Sequence, residues 1–232
     1  MSLEVSPQTG AIGPAFFVTG TDTAVGKTFV SVRLLHALRR AGKTVLAMKP
    51  VAAGCEETAE GWRNEDVEAL RDAASFPVDR DAMNPYLFLP PISPHLAAAE
   101  AGVAIEMAVL RRHLEALKAR ADWVLVEGAG GWLSPVSNTA TMADLAFALK
   151  LPVLLVVGLR LGCLNHALLT FEAIRRSGLP WLGWVANGVD PSMSRAEDNL
   201  AYLVEKLGPP LARVAHGSTE VDFDLQSIES LK

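Results

Sequence analysis

Phe16-Phe-Val-Thr-Gly20-Thr-Asp-Thr-Ala-Val-Gly26-Lys27-Thr28-Phe29 joins two different periodicities. Residues 15–19 form a compact apolar run; from Lys27 onward Phe29, Val32, Leu35 and Leu38 recur at helical spacing. The pattern is a buried strand followed by an amphipathic helix. Between them, Gly20 and Gly26 permit backbone geometry that other residues resist, so successive N–H groups can turn inward on an anion. The helix opening near Lys27 adds the positive end of its dipole. Strand, glycine loop and helix in this order are the context a phosphate loop requires, although five residues separate the glycines here instead of the commonest four. Lys27 is placed to reach the outer phosphates of ATP, and the Thr28 hydroxyl to bind Mg²⁺. The competing reading is a tight turn with an incidental Gly-Lys-Thr, and the flanking strand and helix weigh against it.

The same unit repeats along the chain. Residues 44–49, 123–126, 153–157, 182–186 and 211–214 are apolar strand candidates, several of them β-branched-rich throughout, as strands covered on both faces tend to be. Helical patterns fall between them at 65–74, 106–120, 139–149, 165–178 and 194–207, with Gly42 and Gly178 at helix ends and Pro152 and Pro180 just before strands. The expectation is an α/β fold of the P-loop NTPase type, a mostly parallel sheet with helices on both faces, in one domain over residues 1–232. Residues 1–14 read as a flexible N-terminus and the acidic stretch 217–232 as a candidate mobile tail. Proline-rich residues 75–95 read as an ordered loop beside the site.

Composition narrows the function classes. Half of the residues are hydrophobic and a fifth are charged, the profile of an ordinary globular chain. A net charge of −5 argues against nucleic-acid and anionic-membrane partners. Cys55 and Cys163 are too few for a disulfide framework and lack metal-ligand spacing. The N-terminus has no basic region followed by an apolar stretch, and no apolar run reaches the roughly 20 residues of a membrane span. The expected location is the cytoplasm.

Mg²⁺ held on phosphates still wants one or two carboxylates. Glu127 follows the strand 123–126 and precedes Gly128-Ala129-Gly130-Gly131, at the carboxyl end where ligands gather in an open α/β sheet. It reads as a metal ligand or as a solvated strand-end acid. Glu65 and Asp66 both open a helix, where an acid also serves the dipole, and their residue types alone do not choose between them. Lys49 ends a strand facing the phosphate region, as a transfer-stabilising cation or a merely solvated one. Asn187 could read a base edge or serve the turn it begins. Gly162-Cys163-Leu164-Asn165-His166 offers free helix N–H groups to a carboxylate.

With these residues assembled, the chain resembles the dethiobiotin synthetases from Phe16 to about Asn187. The resemblance rests on Phe17-Val-Thr-Gly-Thr-Asp-Thr-x-Val-Gly-Lys-Thr28, Lys49-Pro-Val-Ala52, Asn84-Pro-Tyr86, Ser93-Pro-His95, Glu127-Gly-Ala-Gly-Gly-Trp132, Leu161-Gly-Cys-Leu-Asn-His166 and Gly183-Trp-Val-Ala-Asn187. It implies that 7,8-diaminononanoate, CO₂ and ATP give dethiobiotin, ADP and phosphate, through a carbamate and a carbamic-phosphoric anhydride. It implies a nucleotide site from Thr23, Ala24, Val25, Gly26, Lys27, Thr28, Phe29, Asp66, Glu127, Gly128, Ala129, Gly130, Asn187 and Gly188. Thr28, Asp66 and Glu127 would hold Mg²⁺, which favours Asp66 over Glu65, and Lys27 and Lys49 would bracket the carbamate and γ-phosphate. Thr23, Lys49, Ala53, Gly162, Cys163, Leu164 and Asn165 would bind the diamine, the turn 162–165 serving the partner subunit of a homodimer. The chain departs from the family pattern at Ala24, Ala53 and Asn199, and it lacks a proline in the expected base loop, 214–216. Among rivals, a corrin-pathway amide-forming ATPase would need a glutaminase domain that this length does not hold. A partitioning ATPase would carry a lysine near the first glycine, where Thr21 stands. A nucleotide-binding relic would not keep Lys27, Thr28, Asp66 and Glu127 together.

Overall fold

The structure is a computed structural model that describes residues 15–59, 61–218 and 221–229. In chain order the elements are β1 (Ala15–Gly20), α1 (Lys27–Arg40), β2 (Val45–Met48), β3 (Val51–Ala53), β4 (Glu56–Thr58), β5 (Gly61–Arg63), α2 (Glu65–Ala73), α3 (Arg80–Met83) and β6 (Tyr86–Phe88). They continue with α4 (Pro94–Glu100), α5 (Met107–Lys118), β7 (Trp123–Gly131), α6 (Met142–Leu149), β8 (Val153–Gly158), α7 (Cys163–Arg176), β9 (Trp181–Asn187), α8 (Ala196–Leu207), β10 (Ala212–Val214) and α9 (Leu225–Glu229).

Six strands form one sheet in the order β10-β9-β8-β1-β7-β2, and every neighbouring pair is parallel. β1 and β8 are buried along their whole length, as are residues 123–128 of β7. Because side chains alternate between faces, full burial means both faces are covered. α1 packs on β1, β2 and β7, while α5 and α6 pack on β7, and Trp123, Trp184, Phe16 and Phe17 are among the largest buried side chains. The expected helix-covered parallel sheet is the one observed.

From β1 the chain moves through α1 to β2 on one side of the sheet, whereas β8, β9 and β10 extend on the other. β1 therefore sits where the winding reverses, and the loop leaving its carboxyl end opens into the crevice such a reversal creates. This is the loop at residues 20–28.

Three expectations need correcting. Residues 75–95 are not one loop: they contain α3, β6 and the start of α4, and β6 pairs in parallel with β3 in a small second sheet. Glu127 does not end its strand, because β7 runs on through the glycines and Gly131 pairs with Gly20. The described part of the C-terminal tail is docked, not free: Val221 and Ile228 are buried in the core, and the Asp224 N–H donates to the Leu211 carbonyl. The readings of residues 1–14 and 230–232 lie outside the described residues. No helix among the described residues is long and apolar enough to cross a membrane.

Candidate active site

The phosphate loop bends through two left-handed residues, Ala24 (φ 57°) and Gly26 (φ 81°). Gly26 has a second reason to be glycine: a Cβ there would lie 2.2 Å from Asn187 Nδ2. Asn187, at the end of β9 and buried, donates from Nδ2 to the Val25 carbonyl at 2.8 Å, fastening the loop to the sheet. Asp22 fastens it on the other side, accepting from the Thr23 N–H at 2.7 Å and pairing with Arg160 at 2.6 Å.

Thr28, in the first turn of α1, lies 2.7 Å from Asp66 Oδ1 and 2.8 Å from Glu127 Oε1 and can donate its proton to either. Lys49 Nζ lies 2.7 Å from Asp66 Oδ2 and 2.6 Å from Glu127 Oε1. One ammonium thus sits between two carboxylates brought from α2 and β7. Burial works against the Lys49 charge, but Glu127 and Asp66 outweigh it and hold its pKa above the ordinary lysine value. Burial likewise works against the Asp66 anion, and the Lys49 ammonium, with the Lys49 and Thr28 hydrogen bonds, nevertheless holds that carboxyl low. Lys27 behaves oppositely. Burial, reinforced by repulsion from Lys49, lowers it from 10.5 to about 8, with Glu127, Asp66 and Asp22 pulling the other way. Its Nζ is 3.3 Å from the Asp22 carbonyl, a single neutral acceptor. An incoming phosphate would raise the pKa again.

Glu127 Oε2 is buried, the residue is 0 % exposed, and this oxygen has no hydrogen-bond partner. A buried carboxylate oxygen without a partner is costly unless a further cation meets it. The donor set, two carboxylates and a hydroxyl, is also too small for an all-protein cage, and among the described residues no group of three or more His, Cys, Asp or Glu forms one. This is the chemistry of Mg²⁺, which keeps waters and completes its shell on phosphate oxygens.

These groups open into a cleft of about 810 Å³ lined by Thr23, Ala24, Gly26, Lys27, Thr28, Phe29, Lys49, Asp66, Ala129 and Gly130. All ten belong to the site that the resemblance implies, as does Ala53, which lines the same cleft. Val25 and Gly128 do not line the cleft: Val25 is buried, and Gly128 lies against Phe17, where a Cβ would meet the ring at 2.8 Å. Gly188 follows Asn187 and its N–H donates to the Val214 carbonyl. The structure does not bring the turn 162–165 to this cleft; Gly162 caps α7, and Cys163 is buried beneath it. Sequence reasoning missed Asn64, Ser134 and the apolar wall of Pro91, Ile92, Pro94 and Leu96. Asn64 carried a readable signal, an asparagine just before two acids and a helical pattern. The prolines of the wall place residues 75–95 beside the site, but nothing in the sequence marks Ile92 and Leu96 as lining it.

A phosphate loop at the winding reversal, a paired lysine and two converging carboxylates define a P-loop enzyme that works on a nucleoside triphosphate. The family profile described as an AAA domain matches residues 14–216. An ATP-dependent dethiobiotin synthetase BioD of Pseudomonas aeruginosa is 56% identical over 203 residues, 87% of this chain and 89% of that protein. The protein of the same name from Xanthomonas oryzae is 52% identical over 197 residues, 85% of this chain and 88% of that one. At these identities and coverages the chain belongs to the ATP-dependent dethiobiotin synthetase family. The fold is more widely shared. Chloroplast FtsY from Physcomitrella patens superposes with a TM-score of 0.52 at 19% identity, over 100% of this chain and 68% of that one.

Proposed function

We propose that this enzyme closes the ureido ring of dethiobiotin in biotin biosynthesis, from 7,8-diaminononanoate, CO₂ and ATP. The observation that carries the reading is the Lys49–Asp66–Glu127–Thr28 cluster at the mouth of a phosphate loop, beside a cleft whose far wall is apolar. The polar end suits the triphosphate and the two amines; the apolar end, with Ala53, Pro91, Ile92 and Leu96, suits an alkyl chain.

In the proposed sequence one amine adds to CO₂ and loses a proton, giving a carbamate. A carbamate oxygen attacks the γ-phosphorus and ADP leaves. The neighbouring amine then attacks the carbamoyl carbon, and the C–O bond breaks to release phosphate. No protein nucleophile is required, so the residues act by positioning and by charge. Lys27 holds the outer phosphates, and phosphate oxygens meeting its buried ammonium would offset the burial and the Lys49 repulsion that lower its pKa. Lys49, between carbamate and γ-phosphate, offsets the negative charge that collects there. Thr28, Asp66 and Glu127 would hold Mg²⁺, which supplies further neutralisation of the phosphate oxygens when bound. Asn187 keeps its amide nitrogen on the loop, and its amide oxygen, next to Gly188, would meet the base. We place the carboxylate of the diamine on the turn 162–165 of a partner subunit, since that turn does not reach its own cleft. We place the enzyme in the cytoplasm.

Purified protein with Mg-ATP and bicarbonate is expected to release phosphate when the diamine is added and little without it. Hydrolysis at the same rate in its absence would overturn the reading.

A further inference from the structure

Between the cleft wall at Ala53 and the carboxylate at Asp66, the chain makes an excursion into the β4–β5 hairpin and returns at Asn64. Asn64 closes the base of that excursion. Its Oδ1 accepts from the Val67 N–H at 3.3 Å, capping α2 two residues before Asp66. Its Nδ2 donates to the Gly54 carbonyl at 3.0 Å and lies 3.4 Å from the Ala53 carbonyl. The residue is 9 % exposed and lines the cleft. The neighbouring contacts leave little slack, because a Cβ on Gly54 would meet Pro91 Cβ at 3.1 Å.

We infer that Asn64 is a positioning residue for the reaction: its amide fixes the diamine wall at 53–54 relative to the helix end that presents Asp66. The inference rests on the proposed function for the identity of the wall's ligand. A helix cap needs only an oxygen, and asparagine, aspartate and serine cap about equally well. The tie to residues 53–54 needs a second polar atom, a donor, beyond the capping oxygen: the aspartate carboxylate has no donor, and serine's single hydroxyl, one bond shorter, is held at the cap. The two roles therefore separate by substitution. A cap alone predicts that both variants resemble the parent. The tie predicts that Asn64→Ser loses it and that Asn64→Asp, which turns a carboxylate oxygen toward two carbonyls, does worse.

The test compares parent, Asn64→Ser and Asn64→Asp for thermal midpoint and for KM and kcat with the diamine. For parent and Asn64→Ser it adds the affinity for Mn²⁺ in the presence of ADP, read by electron paramagnetic resonance. The expected result is a diamine KM raised about tenfold in Asn64→Ser and further in Asn64→Asp, with kcat falling less than the rise in KM. Mn²⁺ affinity falls several-fold in Asn64→Ser, which melts within about 3 °C of the parent, while Asn64→Asp melts lower. KM and Mn²⁺ affinity within twofold of the parent would overturn the inference, as would a lowered midpoint with KM unchanged. If the parent itself fails to turn over the diamine, the proposed function fails, and the Mn²⁺ comparison alone then decides whether Asn64 positions Asp66.

Discussion

At the scale of single residues, Lys49 and Glu127 show how function and stability oppose one another. Glu127 is wholly buried, and one of its oxygens meets Lys49 while the other meets nothing. Such a carboxylate adds little to stability, because a well-packed apolar residue would stabilise the fold as well or better, and this fits the metal-binding role proposed above. Lys49→Ala should lower turnover by about 10²–10³-fold, the magnitude of losing one preorganised charge at the transition state, while ADP affinity changes little. A loss of ADP affinity equal to the loss of turnover would mean that Lys49 only grips nucleotide. The same variant should lose about 3 kcal/mol or more of stability to denaturant, since it leaves Glu127 buried without its cation. Mg²⁺ with ADP should then recover more of the thermal midpoint in the variant than in the parent, because added positive charge replaces the missing ammonium. Equal recovery in both proteins would show that Lys49 and the metal do not share the carboxylates.

Elements explain why the phosphate loop sits where it does. It spans from β1 to α1 and is braced by β9 through Asn187 and by the segment after β8 through Arg160. Gly26→Ala combines a left-handed backbone (φ 81°) with a Cβ 2.2 Å from Asn187 Nδ2. The loop must move, and strain of this kind is worth about 1–3 kcal/mol. ADP affinity measured by calorimetry should therefore fall about tenfold to a hundredfold, and an affinity within twofold of the parent would contradict the bracing. Elements of this kind were readable in the sequence because long apolar runs and helical spacing carry their own periodicity: β1, β8, β9 and all of the longer helices but α4 follow the pattern. Of the three-residue strands only β10 does, expected at 211–214. β3, β4, β5 and β6 are each too short to display an alternation, and only their pairing defines them. The glycines after Glu127 similarly read as a turn, although strand pairing with β1 carries them through to Gly131. Residue chemistry fared better than geometry. Lys27, Thr28, Lys49 and Glu127 stand out by type and position, but the choice of Asp66 over Glu65 needs the resemblance, and which residues of the proline-rich stretch line the cleft needs the three-dimensional structure.

For the whole molecule, the question is what covers the surface beside the loop. Leu161 is 93 % exposed just before α7, and Leu169 on α7 is 64 % exposed. Leu169 and Leu133 line a smaller cavity of about 350 Å³ together with Thr21, Asp22 and Thr23 of the phosphate loop. Large apolar side chains left outward beside a cavity suit a contact with another chain, and we propose a second copy of this one. A second copy docked here would lie against the phosphate loop, and it could bring its own turn at 162–165 toward the cleft that this chain's turn does not reach. Replacing both Leu161 and Leu169 with aspartate places four buried charges in a two-fold contact, and charge without a partner is strongly disfavoured there. The double variant should sediment as a monomer at micromolar concentration while the parent sediments as a dimer. ADP affinity should stay within about threefold of the parent, because every nucleotide contact proposed above is made within one chain. The diamine KM should rise at least about tenfold, the scale of losing a charge-assisted hydrogen bond to a carboxylate. A monomeric variant with an unchanged diamine KM would move the carboxylate site off the turn and back into the chain's own cleft, and a variant that remains dimeric would place the subunit contact elsewhere.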